Sequence, residues 1–146
     1  MAAPGVVLKG QTIRFVADPF AVPPDEALAH EAKGAVWMAD ERIQAVGPAA
    51  EVLASAGPGV EVVDHGDAIL APGFVDCHVH YPQLAAIASY GTQLLEWLET
   101  YTFPAERRFE DPAHARAGAE FFLDECLRNG TTTACVYPTV HPGSVD

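Results

Sequence analysis

The chain has 146 residues, of which 8 are Lys or Arg and 20 are Asp or Glu, so its formal net charge is −12 and its pI about 4.7. Such a surface is poor in the cations that neutralise phosphates, which argues against a nucleic-acid-binding domain and against docking onto anionic lipid. Hydrophobic residues make up 49%, too many for a disordered tail. The length suits one domain with a real core and falls short of the roughly 250 residues of a complete (β/α)8 barrel.

Val6–Lys9 and Thr12–Ala17 are β-branched runs around Gly10, which marks a hairpin or a bulge. Residues 18–33, with three prolines, read as loop. Gly34–Met38 and Arg42–Val46 read as strands joined by Ala39-Asp40-Glu41. Ala49–Ala54 predicts one or two helical turns, stopped by Gly57-Pro58, and Val60–Val63 a further strand. Short strands at close spacing are typical of a small sheet or sandwich, and a small β-sandwich-like domain is expected over residues 1–68.

From residue 69 the pattern changes. Ala68–Leu70 and Gly73–His80 are apolar and extended around Pro72-Gly73, as in a strand buried on both faces of a parallel sheet. Leu94–Tyr101 reads as a short helix. Residues 111–129 carry the clearest helix signal. Asp111 is placed to N-cap, Pro112 falls at the first helical position, and Gly130 follows the last turn. Ala115, Ala119, Phe122 and Cys126 form one apolar stripe. Thr131–Tyr137 is a β-branched strand. Strand, helix and strand predict a βαβ unit with parallel strands and a right-handed crossover.

No run approaches 18 apolar residues and the first ten residues lack the features of a secretory signal, so a soluble cytoplasmic protein is expected. Cys77, Cys126 and Cys135 are odd in number and contain no CxxC pair. They read as small buried apolar residues in a reducing compartment.

The residues that carry chemistry are Asp76-Cys77-His78-Val79-His80. Alternation on a strand sends Asp76, His78 and His80 to one face and Val75, Cys77 and Val79 to the other, where helices would cover them. The two imidazoles can converge on one ion. An HxH pair is a weak signal taken alone, and two imidazoles do not complete a zinc site, which takes three or four protein ligands. Asp76 lies on the right face one layer down. His141 follows the next strand and reads as a loop histidine within reach of the same rim. His30, His65 and His114 read as solvated.

Pro72-Gly73-Phe74-Val75-Asp76-Cys77-His78-Val79-His80 resembles the first barrel strand of the amidohydrolase superfamily, in which a small β domain leads into a (β/α)8 TIM barrel. The hairpin sequence Ala39–Gly47 is similar to one in that β domain. A narrower resemblance, to the guanine deaminases of this superfamily, rests on further residues. These are His80-Tyr81-Pro82-Gln83, Leu94-Leu95-Glu96-Trp97-Leu98, Tyr101-Thr102-Phe103-Pro104 and Asn129-Gly130-Thr131-Thr132-Thr133. Cys77 stands where that family's pattern has Thr, on the side away from the metal.

The resemblance implies an α/β fold in which residues 69–146 begin a TIM barrel, with the barrel incomplete. It implies hydrolysis of guanine to xanthine and ammonia with one zinc, His78 and His80 as ligands, and His80, Tyr81, Pro82 and Gln83 against the purine. Gln83 carries a donor and an acceptor, which suits a purine edge offering both. Trp97 could wall the pocket or belong to the core, while Tyr101 and Phe103 read as packing. Zinc would supply hydroxide near neutral pH and a carboxylate would pass the proton to the leaving ammonia. The family's other zinc ligands, its proton-shuttling carboxylate and an Arg-Phe pair that holds guanine belong to later strands. The chain is therefore expected to be an N-terminal portion, inactive alone, of an enzyme that is homodimeric at full length. Another amidohydrolase would share the HxH strand but lack the 94–104 pattern, and a non-catalytic metal-binding module would hold zinc without later strands. The other zinc-deaminase architecture, with H-x-E and P-C-x-x-C ligands, is excluded because neither motif is present.

Overall fold

The computed structural model describes residues 5–91 and 93–145. The chain forms two compact units, Met1–Pro72 and Gly73–Asp146. In the first, strands β1 (Val6–Phe15), β2 (Leu28–Ala39), β3 (Arg42–Pro48) and β4 (Glu61–Leu70) form one sheet in the order β3-β2-β1-β4. Helix α1 (Pro24–Ala27) precedes β2, and α2 (Ala49–Ala56) carries the chain from β3 to the opposite edge. There β4 runs parallel to β1, whereas the β1–β2 and β2–β3 pairs are antiparallel.

The two runs around Gly10 are one strand, with its register broken between Gly10 and Thr12. The bulge, not the hairpin, is correct. A Cβ on Gly10 would lie 2.7 Å from the Ala68 carbonyl oxygen, so the close approach of β4 requires glycine there. Gln11 spans the irregularity: its amide nitrogen donates to the Asp67 carbonyl, and its amide oxygen lies 3.0 Å from His30 Nε2. His30 is thus hydrogen-bonded, not merely solvated. The segment 18–33 is not all loop, because β2 already starts at Leu28. Its Leu-Ala-His-Glu-Ala-Lys run has little intrinsic strand preference, and pairing with β1 from Thr12 to Phe15 decides its conformation. The predicted turn forms at Asp40 and Glu41, both with positive φ (52° and 59°), as a two-residue hairpin needs.

Val52 of α2 is buried with Val7 and Ala35 of the sheet, and Trp37, Ala45 and Leu53 flank them. A helix, not a second sheet, therefore covers this core, and the sandwich expectation gives way to a sheet-and-helix layer. Residues 68–70 do not stand apart as an extended segment; β4 continues through them.

In the second unit β5 (Phe74–His80) leads into a 3₁₀ turn at Tyr81–Ala86. Helix α3 (Leu94–Trp97), a π-helical turn at Leu98–Thr102 and α4 (Phe103–Arg107) follow. Helix α5 (Pro112–Arg128) then returns the chain to β6 (Thr131–Tyr137), which pairs parallel with β5. The π turn precedes Pro104, whose ring would collide with the carbonyl four residues back in a regular helix. Asp111 Oδ1 accepts from the Ala113 N–H at 3.0 Å, so the predicted cap forms. Gly130, at φ +79°, ends the helix.

Ala115 and Phe122 of α5 are buried with Tyr81 and Phe109, and Ala119, Cys126, Val79 and Leu84 pack around them. The predicted stripe is the buried face. The expectation that β5 is covered on both faces fails, because Phe74 and Val75 are 69% and 63% exposed. Of the apolar trio only Val79 joins the core, packed beside Tyr81, Phe109, Ala115 and Phe122. Cys77 and Cys135 are exposed free thiols, contrary to expectation, and only Cys126 is half-buried. Among the described residues, no helix is long and apolar enough to cross a membrane.

Candidate metal and substrate site

β5 brings His78 and His80 together at its C-terminal end. Their Nε2 atoms lie 3.1 Å apart and their ring centroids 5.0 Å. A tetrahedral zinc with bonds of about 2.0–2.1 Å separates two ligating nitrogens by about 3.3 Å. The pair fits such an ion in both spacing and donor type. His78 is exposed and His80 half-buried.

Asp76 does not join them. Between Asp76 and Val79 the β5–β6 register slips, so β5 carries an extra residue there. The Asp76 carboxylate takes up the backbone N–H of His78 at 3.0 Å. Among the described residues no group of three or more His, Cys, Asp or Glu side chains converges as a metal site. His141 lies in the loop after β6, its backbone tied to Thr139 and Ser144. His65 stands exposed on β4, and His114 meets the Phe109 ring edge-on at 4.7 Å.

The segment after His80 divides in two. Tyr81 and Pro82 are buried. Tyr81 packs edge-on against Phe109 at 5.2 Å and donates its hydroxyl proton to the Ser144 carbonyl at 2.7 Å. Burial pushes its phenol above the usual tyrosine range, against the opposing pull of that hydrogen bond. Gln83 is half-buried, and its Nε2 donates to Glu106 Oε1 at 2.9 Å. The order of these elements explains the contact. Pro104 induces the π turn, α4 follows, and Glu106 on α4 meets the 3₁₀ turn that carries Gln83. Trp97 is half-buried against Gly91 and donates to the Ser89 carbonyl at 3.2 Å. Tyr101 and Phe103 are 37% and 50% exposed, less packed than expected.

Sequence reasoning missed Tyr137. Its ring centroid lies 4.4 Å from that of His78 and 5.1 Å from that of His80. The signal was available: once β5 and β6 are read as adjacent parallel strands, the last residue of β6 falls beside the last residue of β5.

Residues 69–146 match the model of the amidohydrolase family. The guanine deaminase of Escherichia coli is 55% identical over 87 residues, covering 60% of this chain and 20% of that protein. A Deinococcus radiodurans protein named probable guanine deaminase is 43% identical over 144 residues, covering 96% of this chain and 32% of its own length. The crystal structure of guanine deaminase from Bradyrhizobium japonicum superposes with a TM-score of 0.88 at 37% identity, over 96% of this chain and 30% of that one. The chain thus spans between a fifth and a third of the length of these relatives.

Proposed function

The chain belongs to the amidohydrolase family, and on that footing we propose that it supplies the opening part of a zinc-dependent guanine deaminase, which hydrolyses guanine to xanthine and ammonia. The first unit is then the small β domain, and β5-α5-β6 the first strands of a TIM barrel completed by later segments. The observation that carries this reading is the pair of Nε2 atoms 3.1 Å apart at the end of β5.

His78 and His80 would hold the metal, which when bound supplies Lewis-acid activation of water near neutral pH. His80 to Gln83 would form the wall against the purine. Within it the buried Tyr81 and Pro82 anchor the turn, and the half-buried Gln83 reaches the substrate edge. The exposed faces of β5 and β6 would be covered by the rest of the barrel. The assembled enzyme would be a cytoplasmic homodimer with guanine as its substrate and with no nucleic-acid or membrane partner.

The test is the intact mass of the natural protein, measured with a guanine-to-xanthine assay and metal analysis on the same sample. A mass about three times 15.5 kDa, with activity and zinc that His78→Ala abolishes, supports the reading. A zinc-loaded protein that leaves guanine unchanged overturns it.

A further inference from the structure

Glu106 is a half-buried carboxylate on a different element from Gln83, and the two side chains meet at 2.9 Å. A carboxylate only accepts hydrogen bonds, whereas a glutamine amide has one end that donates and one that accepts. The contact therefore decides which way round the amide sits: the NH2 faces Glu106 and the carbonyl oxygen faces elsewhere. One N–H is consumed by Glu106. The carbonyl oxygen and at most one N–H remain for a ligand.

We propose, resting on the reading of Gln83 as a purine contact, that Glu106 is a positioning residue for specificity. It locks the Gln83 amide so that its carbonyl oxygen is presented as an acceptor to an N–H of the substrate ring. A free glutamine flips at little cost and greets a donor edge and an acceptor edge alike. A locked one favours the edge with the donor, because the wrong orientation would turn the carbonyl oxygen against the Glu106 carboxylate. The π turn and Pro104 serve this lock by setting where α4 begins.

The test uses the full-length protein. Glu106→Gln keeps the side chain's size and a hydrogen bond to residue 83, but it accepts either orientation of the amide. The KM for guanine should rise about twofold, because an amide free to take either orientation presents its carbonyl oxygen about half the time, while kcat is unchanged. In a Gln83→Ala background, Glu106→Gln should leave KM unchanged, because the effect travels through Gln83. An unchanged KM in Glu106→Gln overturns the proposal. So does an equal rise in the Gln83→Ala background, or a parallel fall in kcat and melting temperature, which would make Glu106 a structural prop. If wild type turns over guanine but Gln83→Ala leaves KM unchanged, the contact itself fails and the lock with it. If wild type does not turn over guanine, the function proposed above fails first.

Discussion

Tyr137 and His80 are register partners across the β5–β6 ladder, and their rings stack at an interplanar angle of 23° with centroids 5.1 Å apart. Tyr137 also touches His78, so one aromatic ring on β6 limits the rotation of both imidazoles on β5. With that rotation limited, the two Nε2 atoms are held 3.1 Å apart, the spacing on which the proposed metal site depends.

Tyr137→Ala in the full-length protein should therefore weaken zinc binding by about tenfold, the lower end of what loss of an outer partner costs. Tyr137→Phe should keep it within about twofold, since the ring and not the hydroxyl makes the contact. Competition against a chromophoric chelator measures both. Equal affinities in wild type and Tyr137→Ala would mean that the later ligands alone orient the site.

Phe122 is 6% exposed, at the centre of the second core, whereas Phe20 is 99% exposed in the loop after β1. Phe122→Ala should lower stability by about 3–5 kcal/mol, the transfer and cavity cost of a buried phenyl ring. Phe20→Ala should change it by less than about 0.5 kcal/mol. Denaturant unfolding curves separate the two.

Asp111→Ala removes the side-chain acceptor of the Ala113 N–H at the start of α5. The expected loss is about 1 kcal/mol. Because Ala115 lies in the adjoining turn and is buried, faster amide exchange should begin at residues 113–115 and not at the Gly130 end.

Lys9 and Asp64 pair across β1 and β4. The Lys9 ammonium, with help from the Gly66 N–H, holds the Asp64 carboxyl below its ordinary range. A depressed folded-state pKa means stability that is present above the unfolded value of about 4 and lost as pH falls through the folded value. Acid titration of wild type against Lys9→Met should show the two melting curves converging below about pH 4. Both partners are substantially exposed, so the difference should also shrink in high salt.

The helix over 112–128, its Asp111 cap, its buried stripe and the flanking parallel strands were legible because each rests on local signals a few residues apart. The pairing of His78 with His80 was legible for the same reason. The first half of β2, Leu28 to Lys33, was not, because those residues have little strand preference and only the partner strand orders them. The exposure of Phe74, Val75 and Cys77 was hidden too: an apolar run reads the same whether or not anything covers it.

By itself, then, the sequence determined most of the elements, the turn residues and the HxH donor pair, all properties of neighbours along the chain. Tertiary structure alone decided which side chains lie against the His pair and against Gln83. Tyr137 lies 57 residues beyond His80, and Glu106 lies 23 beyond Gln83. Asp76 does not join the His pair: beside a register slip between β5 and β6, its carboxylate accepts the chain's own His78 N–H. Contacts of that kind depend on register and on where a helix begins, which are fixed only when separate elements pack.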